Sequence, residues 1–317
     1  MDGGAAVNLE AVLTDYLAVR RALGVKYQRP EKLLRQFLAY LDLQGLDRIT
    51  IEAAVDWVRL AAADGSVSPG WLGMRMSAVR GFAEFCRSLD KTTPVPPKGL
   101  LSQGGKRATP YLYTAAEVEA LCHAALMLRG PVRQATYRTL VRLLATTGMR
   151  IGEAAGLDAA DFDRDEGILL VREAKFDRHR LLPLHPSTTA ALIDYRRDLE
   201  AAMPGLETPA LLASGHGTRL LTVNIGATFR QLVALAGLAP RSASCRPRPH
   251  DLRRSFAVRT LIDWYRDGQP VEPRLPLLSA YLGHTSPAHT YWYLHAAPEL
   301  MAQAAERLST YQNGQSR

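Results

Sequence analysis

The sequence has 317 residues, a length typical of about two domains. Hydrophobic residues make up 47% and charged residues 22%, a balance that excludes a largely disordered chain. The formal net charge of +8 is carried mostly by arginine, which binds phosphate oxygens in a bidentate manner. This charge is compatible with a nucleic-acid partner, but by itself it also fits a merely basic soluble protein.

The cysteines and the apolar runs predict a cellular compartment. Cys86, Cys122 and Cys245 are far apart and match no zinc-binding spacing, which indicates free thiols in a reducing environment. No uninterrupted apolar run approaches 18 residues, and the N-terminus lacks the pattern of a signal peptide. We therefore expect a cytoplasmic protein without a membrane segment.

The first 90 residues carry four apolar stripes at helical spacing, over about 9–23, 33–41, 51–58 and 68–89. Thr50 is suited to cap the third helix and Pro69 to the first turn of the fourth. These features predict an all-α domain over residues 1–90. Arg75 and Arg80 on the fourth helix are candidates for DNA phosphate contacts, and a solvated helix face is the alternative.

Residues 91–107 are rich in proline, glycine and basic residues, as linkers are. The second domain, 108–317, opens with a capping box of Thr114 and Glu117, followed by a helix over about 132–147 that ends at Gly148. Residues 167–171 and 180–184 read as a β-hairpin. A helix begins near Pro186, and Thr222 is expected to cap the helix that follows. The chain is therefore predicted to be mainly α, with one small antiparallel sheet.

Three motifs near the C-terminus carry chemistry. His250 and Arg253 are three residues apart, so both side chains leave a helix on one face. Leu282-Gly283-His284 closes a helix, and Tyr293 follows nine residues after His284. Guanidinium and imidazolium groups bind phosphate oxygens, and a phenol can act as a nucleophile. An isolated His-x-x-Arg is more often an ordinary surface pair, so the assignment depends on all the motifs together.

Together with Arg150 in Thr147-Gly148-Met149-Arg150 and Lys175 on the hairpin, these motifs resemble the tyrosine recombinases, the phage-integrase and Xer-type family. The resemblance covers about residues 108–300. It implies a SAM-like core-binding domain of helices that clamps DNA, followed by an α+β catalytic domain. The segment from Tyr281 to Leu300 looks more like integrases borne by transposons or other mobile elements.

The resemblance also implies a role for each motif residue. Arg150 and Arg253 would grip the non-bridging oxygens of the scissile phosphate, and His284 would donate a hydrogen bond to it. Lys175 would protonate the departing 5′-oxygen. Tyr293 would be the nucleophile, and His250 would accept its proton. Glu153 would orient Arg150. Further candidates for DNA binding are Arg246, Arg248 and Arg254.

The family's chemistry needs no ATP, metal ion or other cofactor, because the bond energy is kept in a 3′-phosphotyrosyl link. Its partner is double-stranded DNA with inverted core sites. The resemblance implies a homotetramer on DNA, or a heterotetramer with related recombinases, in a nucleoid-associated location. The C-terminal segment, residues 298–312, would dock either on its own protomer or on a neighbour.

Other functions share parts of this pattern. A type IB topoisomerase or telomere resolvase would use the same chemistry without exchanging partners, and a non-catalytic DNA-binding relative would have lost a motif residue. A metal-dependent nuclease would use His289 and His295 as additional ligands, although no His-Glu-x-x-His motif is present. Tyr291 is the alternative nucleophile, and it would face nearly opposite to Tyr293 on a helix.

Overall fold

The computed structural model describes residues 8–25, 27–62, 69–100, 108–172, 179–268, 271–284, 286 and 290. The chain divides into two compact units, residues 1–107 and 108–317. Helices dominate both units, and the strands of the described residues all lie in the second unit. None of the described helices is long and apolar enough to span a membrane.

The first unit is a bundle of helices with the bounds α1 Leu9–Ala22, α2 Gln28–Leu43, α3 Ile51–Leu60 and α4 Pro69–Leu89. The four helices form where the apolar stripes predict them. Asn8 caps α1 through its side-chain oxygen, and the Thr50 hydroxyl accepts a 3.0 Å hydrogen bond from the amide of Ala53 at the start of α3. The apolar stripes meet in one core, whose largest fully buried members include Tyr16, Phe37 and Phe82.

In the described part of the second unit, helices precede and follow a small sheet. Their bounds are α5 Ala115–Ala125, α6 Pro131–Thr147, α7 Ile151–Gly156, α8 Pro186–Ala202, α9 Thr222–Leu235, α10 Pro249–Arg266 and α11 Leu275–Leu282. The capping box that starts α5 is formed as predicted, with reciprocal hydrogen bonds between Thr114 and Glu117. Thr222 was expected to cap α9, and this is wrong: it is the first helical residue, and Leu221 stands at the cap without a side-chain hydrogen bond.

A three-stranded antiparallel sheet lies between α7 and α8 in the chain. Its strands are β1 Phe162–Asp163, β2 Ile168–Arg172 and β3 His179–Pro183, in the order β1-β2-β3. The pairing of β2 with β3 confirms the predicted hairpin, and Val171 pairs with Arg180 near its loop. The two-residue strand β1 was not predicted, because two residues carry no readable alternation.

The core of the second unit collects around α6, which packs against α5, α8 and α10. A smaller apolar cluster joins α10 to α11, and Leu261, Leu278 and Leu282 are among its buried members. The C-terminal ends of α6 and α11 therefore both lie against α10. This arrangement brings three of the sequence motifs to one place.

Candidate active site

Arg150 lies where α6 gives way to α7. Gly148 ends α6 in the left-handed region, with φ of 61°, and this reverses the chain so that Arg150 stands at the N-cap of α7. Glu153 completes a capping box there, because one of its oxygens accepts a 2.8 Å hydrogen bond from the Arg150 amide. The other oxygen lies 2.6 Å from the Arg150 guanidinium. The sequence assignment of Glu153 as the residue that orients Arg150 agrees with this geometry.

Arg253 is buried beneath the same point. It projects from α10 and is 2% exposed. One guanidinium nitrogen, Nη1, donates a 2.8 Å hydrogen bond to the carbonyl of Gly148, and Nη2 donates one of 2.6 Å to the carbonyl of Leu282. The side chain thus ties the end of α6 to the end of α11.

The end of α11 binds three arginines through three consecutive carbonyl groups. Tyr281 accepts a 3.0 Å hydrogen bond from Nε of Arg180, and Leu282 accepts the bond from Arg253. Gly283 accepts a 2.6 Å bond from Nη2 of Arg150. The last carbonyls of a helix have no partner within the helix and carry the negative end of its dipole, so they favour cations. The Leu-Gly-His motif therefore positions the cationic groups as well as supplying a histidine.

His284 follows directly, because Gly283 ends α11 in the left-handed region with φ of 66°. Nδ1 of His284 lies 2.8 Å from the hydroxyl oxygen of Thr290, a residue with no exposed surface. A second polar residue therefore fixes the ring that sequence reasoning had assigned to the phosphate.

Glu153 is shared between two arginines. Arg180, on β3, places Nη2 2.8 Å from one oxygen of Glu153 and Nη1 3.3 Å from the other. Burial favours the neutral carboxyl, yet the hydrogen bonds and charge of Arg180, followed by those of Arg150, hold the pKa of Glu153 below its ordinary value. The carboxylate is thus ionised at neutral pH and binds both guanidinium groups.

His250 stands in the first turn of α10 beside this cluster. Partial burial, followed by the positive charges of Arg254, Arg253 and Arg150, lowers the pKa of His250 to about 4. The residue as a whole is exposed, so a substrate can approach it. A neutral imidazole at physiological pH has a nitrogen able to accept a proton.

Lys175 and Tyr293 lie outside the described residues, as do Tyr291 and the C-terminal segment. Their chain neighbours are described. Strands β2 and β3 hold both sides of the loop that contains Lys175, and Val171 pairs with Arg180. Thr290 precedes Tyr293 by three residues. The roles of these two residues therefore remain predictions.

Two of the DNA-binding candidates, Arg75 and Arg80, make structural contacts within the first unit. The guanidinium of Arg75 stacks 3.6 Å from the centre of the Trp57 ring and donates a 2.9 Å bond to the Trp57 carbonyl. Burial lowers the pKa of Arg75. Arg80 donates to the carbonyls of Pro96 and Pro97, at 2.8 Å and 3.0 Å. These contacts favour positions that stabilise the unit over positions that reach a phosphate.

The other three candidates flank the start of α10. Arg254 pairs with the buried carboxylate of Asp251 at 3.0 Å, and only 14% of its side chain is exposed. Arg246 is exposed and donates to the carbonyl of Ala243, whereas Arg248 is half-buried and donates to that of Ser244. Arg246 is thus the most accessible of the three.

Sequence reasoning missed Arg180 and Thr290. Arg180 had a signal: it stands two residues before the buried Leu182, so strand alternation places both on the inward face of β3. A charged residue on such a face requires a partner. Thr290 gave no signal, because nothing in the local sequence pattern pairs it with His284.

Within the ranges that the structure describes, no three His, Cys, Asp or Glu side chains are grouped to hold a metal ion. Cys86, Cys122 and Cys245 are buried and free, and they lie outside the arginine cluster.

Comparison with known proteins adds independent findings. The sequence model of the phage integrase family matches residues 112–299. The chain is 40% identical over 300 residues to y4rB of Sinorhizobium fredii, whose name describes a candidate integrase/recombinase, with 93% of this chain and 95% of the relative covered. It is 28% identical to the tyrosine recombinase XerD of Caulobacter vibrioides, over 94% of this chain and 93% of the relative.

Solved structures share the fold at low identity. The integrase of transposon Tn1549 in complex with circular intermediate DNA superposes with a TM-score of 0.65 at 19% identity, covering 94% of this chain and 99% of that chain. The XerH recombinase bound to its palindromic difH substrate gives a TM-score of 0.62 at 19% identity, covering 95% and 84%.

Proposed function

The chain belongs to the phage integrase family of tyrosine recombinases, and from this premise we propose how its residues cleave and rejoin DNA. It is a site-specific recombinase, an enzyme that breaks DNA strands and joins them again. The observation that carries the proposal is the set of three arginines on the last carbonyls of α11. This set concentrates positive charge beside His250 and His284.

The scissile phosphate binds at Arg150. Its side chain is 39% exposed, so a phosphate oxygen can reach the guanidinium, whereas Arg253 adds its charge from beneath. Attack at phosphorus places more negative charge on the non-bridging oxygens in the transition state. Fixed cations and the His284 ring stabilise that charge without having to reorganise.

The covalent step uses Tyr293 as the nucleophile. Its phenolic oxygen bonds to phosphorus, the bond from phosphorus to the 5′-oxygen breaks, and Lys175 gives the 5′-oxygen a proton. The phenol proton passes to His250, whose low pKa keeps a nitrogen available at neutral pH. A 5′-hydroxyl from a second duplex then attacks the phosphotyrosyl link and releases Tyr293. Each step exchanges one phosphate ester for another, so no ATP is consumed.

The partner is double-stranded DNA with inverted core sites, bound by four protomers of this chain or of this chain and a related recombinase. Support comes from solved structures of similar fold: XerH is bound to a palindromic site, and lambda integrase is bound as a dimer to a core site. The likeness to the Tn1549 integrase supports a role in moving a mobile element.

A strand-exchange experiment tests this function. The protein is first incubated with a library of random duplex DNA, and the covalently held fraction is sequenced to find the core site. Two duplexes of different length, each carrying that site, are then mixed with the protein. Recombinant duplexes are expected. Relaxation of a supercoiled plasmid without recombinant duplexes would instead indicate a type IB topoisomerase.

A further inference from the structure

Arg180 occupies an unusual position for a cation. It lies in β3 and faces inward with Leu182, and only 13% of its side chain is exposed. A phosphate of the DNA backbone would have little access to it. The residue therefore needs an explanation other than direct contact with DNA.

The contacts of Arg180 join two parts of the site. Its Nη2 and Nη1 bind the two oxygens of Glu153 at 2.8 Å and 3.3 Å, and its Nε binds the Tyr281 carbonyl at 3.0 Å. Glu153 in turn holds both the backbone amide and the guanidinium of Arg150, at 2.8 Å and 2.6 Å. One side chain thus reaches Arg150 by two routes, through Glu153 and through the end of α11.

The charge of Glu153 depends on this arrangement. Its side chain is 8% exposed, and a carboxylate so buried requires cationic partners to remain ionised. Arg180 contributes more to that than Arg150 does. Without Arg180, a protonated Glu153 would lose much of its grip on the Arg150 guanidinium.

We propose that Arg180 is a positioning residue for the phosphate-binding arginines: it orients Arg150 through Glu153 and fixes the end of α11 that also holds Arg253. The proposal rests on the proposed function, because it assumes that Arg150 binds the scissile phosphate. Arg180 also pairs with Val171, close to the loop that contains Lys175, so it links that loop to Glu153.

The test compares Arg180→Met with a matched control on the same hairpin. Arg172 pairs instead with Asp158 at 2.6 Å and with Asp161. Arg172→Met therefore reports the general effect of removing an ion-paired arginine from this sheet. The measurement is the single-turnover rate of covalent adduct formation on a nicked core site, with DNA affinity measured in parallel.

Arg180→Met should lower the cleavage rate about 10- to 100-fold, the range seen when a supporting residue behind a functional group is lost. DNA affinity should stay within about threefold of wild type, because affinity is spread over many phosphate contacts. The pH profile should also change. The pKa of Glu153 should rise in Arg180→Met, because the carboxylate loses a cationic partner. Cleavage by this variant should therefore fall as the pH is lowered through that raised pKa. Arg172→Met should not show this decrease at acidic pH.

A second variant covers the case in which Arg180→Met does not fold. Arg180→Lys keeps the charge near Glu153 but cannot reach Glu153 and Tyr281 together. It should cleave more slowly than Arg172→Lys and keep the wild-type pH profile. The proposal is overturned if Arg180→Met cleaves as fast as Arg172→Met, or if Arg180→Lys matches Arg172→Lys. Failure of wild type itself to form an adduct would count against the proposed function instead.

Discussion

Arg253 donates a 2.8 Å hydrogen bond to the carbonyl of Gly148, a residue 105 positions earlier in the chain. Gly148 can present that carbonyl because it adopts a left-handed conformation that side chains with a Cβ rarely accept. The position is also crowded: a Cβ on Gly148 would lie 2.5 Å from Cδ1 of Phe256 and 3.0 Å from Cδ2 of Leu282. The hydrogen bond from Arg253 therefore depends on glycine at position 148.

Gly148→Ala should destabilise the protein and impair cleavage. We expect a loss of about 2–5 kcal/mol in the free energy of unfolding, from left-handed strain together with overpacking. Gly237→Ala is the matched control, since Gly237 also has a left-handed φ, of 67°, but nothing lies within 4 Å of its added Cβ. It should cost only about 1–2 kcal/mol and leave cleavage unchanged. Equal losses in urea denaturation would contradict the crowding argument.

The two arginines of the proposed phosphate site should respond differently to truncation. Arg150→Ala should cut cleavage about 100- to 1,000-fold with little loss of stability, because Arg150 is partly exposed. Arg253→Ala should cut cleavage to a similar extent and also lower the free energy of unfolding by about 2–4 kcal/mol. The added loss arises because buried carbonyls of Gly148 and Leu282 lose their donor.

Single-turnover cleavage and thermal unfolding, measured on the same preparations, check this pair. Arg197→Ala serves as the control, because Arg197 is an exposed arginine of α8 that pairs with Asp194 and Asp198. Cleavage by both variants within about tenfold of wild type, near 1.4 kcal/mol, would place the phosphate site elsewhere.

His250 should remain neutral well below the pH at which an ordinary histidine is protonated. Its pKa is lowered to about 4 in the folded protein, against about 6.5 when unfolded. The unfolded chain therefore binds the proton more readily between these values, and stability is lost as pH falls through that window. His250→Gln should reduce that loss.

An NMR titration of the imidazole protons in Tyr293→Phe measures this directly, with His250→Gln used to assign the resonance. Added salt should raise the His250 pKa, because it screens the charges of the nearby arginines. A His250 resonance that titrates at or above 6.5 would contradict the effect of burial and of the nearby arginines on this ring.

DNA binding should weaken steeply as salt is added, since the chain is strongly basic. For 6–10 phosphate contacts, affinity falls by about 1,000- to 100,000-fold between roughly 50 and 200 mM salt. Arg246→Ala should reduce the magnitude of the slope of log affinity against log salt concentration by about 1, the value for one lost phosphate contact. Arg75→Gln should leave the slope unchanged, because Arg75 is stacked on Trp57. Fluorescence anisotropy provides both slopes, and a salt-independent affinity would refute an electrostatic interface.

The sequence predicted the parts of this structure that local chemistry determines. Caps such as Thr50 and Thr114 and the chain reversal at Gly148 depend on neighbours within a few residues. The paired strands of the hairpin carry their own alternation. The motif order then identified Arg150, Arg253 and His284 before any geometry was available, and the structure places all three around the end of α11.

Long-range partners were not predictable in the same way. Whether an arginine binds a phosphate, a ring or a carbonyl depends on which element packs beside it. The sequence alone therefore does not distinguish Arg75 and Arg80 from arginines on the surface. The contact of Thr290 with His284 likewise has no signature in the local sequence. Tertiary packing, which local patterns do not encode, determines these assignments.

The central claim is that Tyr293 is the nucleophile of the arginine cluster, and covalent capture tests it most directly. Wild type, Tyr293→Phe and Tyr291→Phe are each incubated with a core site nicked so that the cleaved fragment diffuses away, and SDS-stable protein–DNA complexes are resolved on a gel. We predict an adduct with wild type and with Tyr291→Phe, none with Tyr293→Phe, and a DNA-linked peptide that maps to Tyr293. An adduct that persists in Tyr293→Phe, or one mapped to Tyr291, would contradict the account.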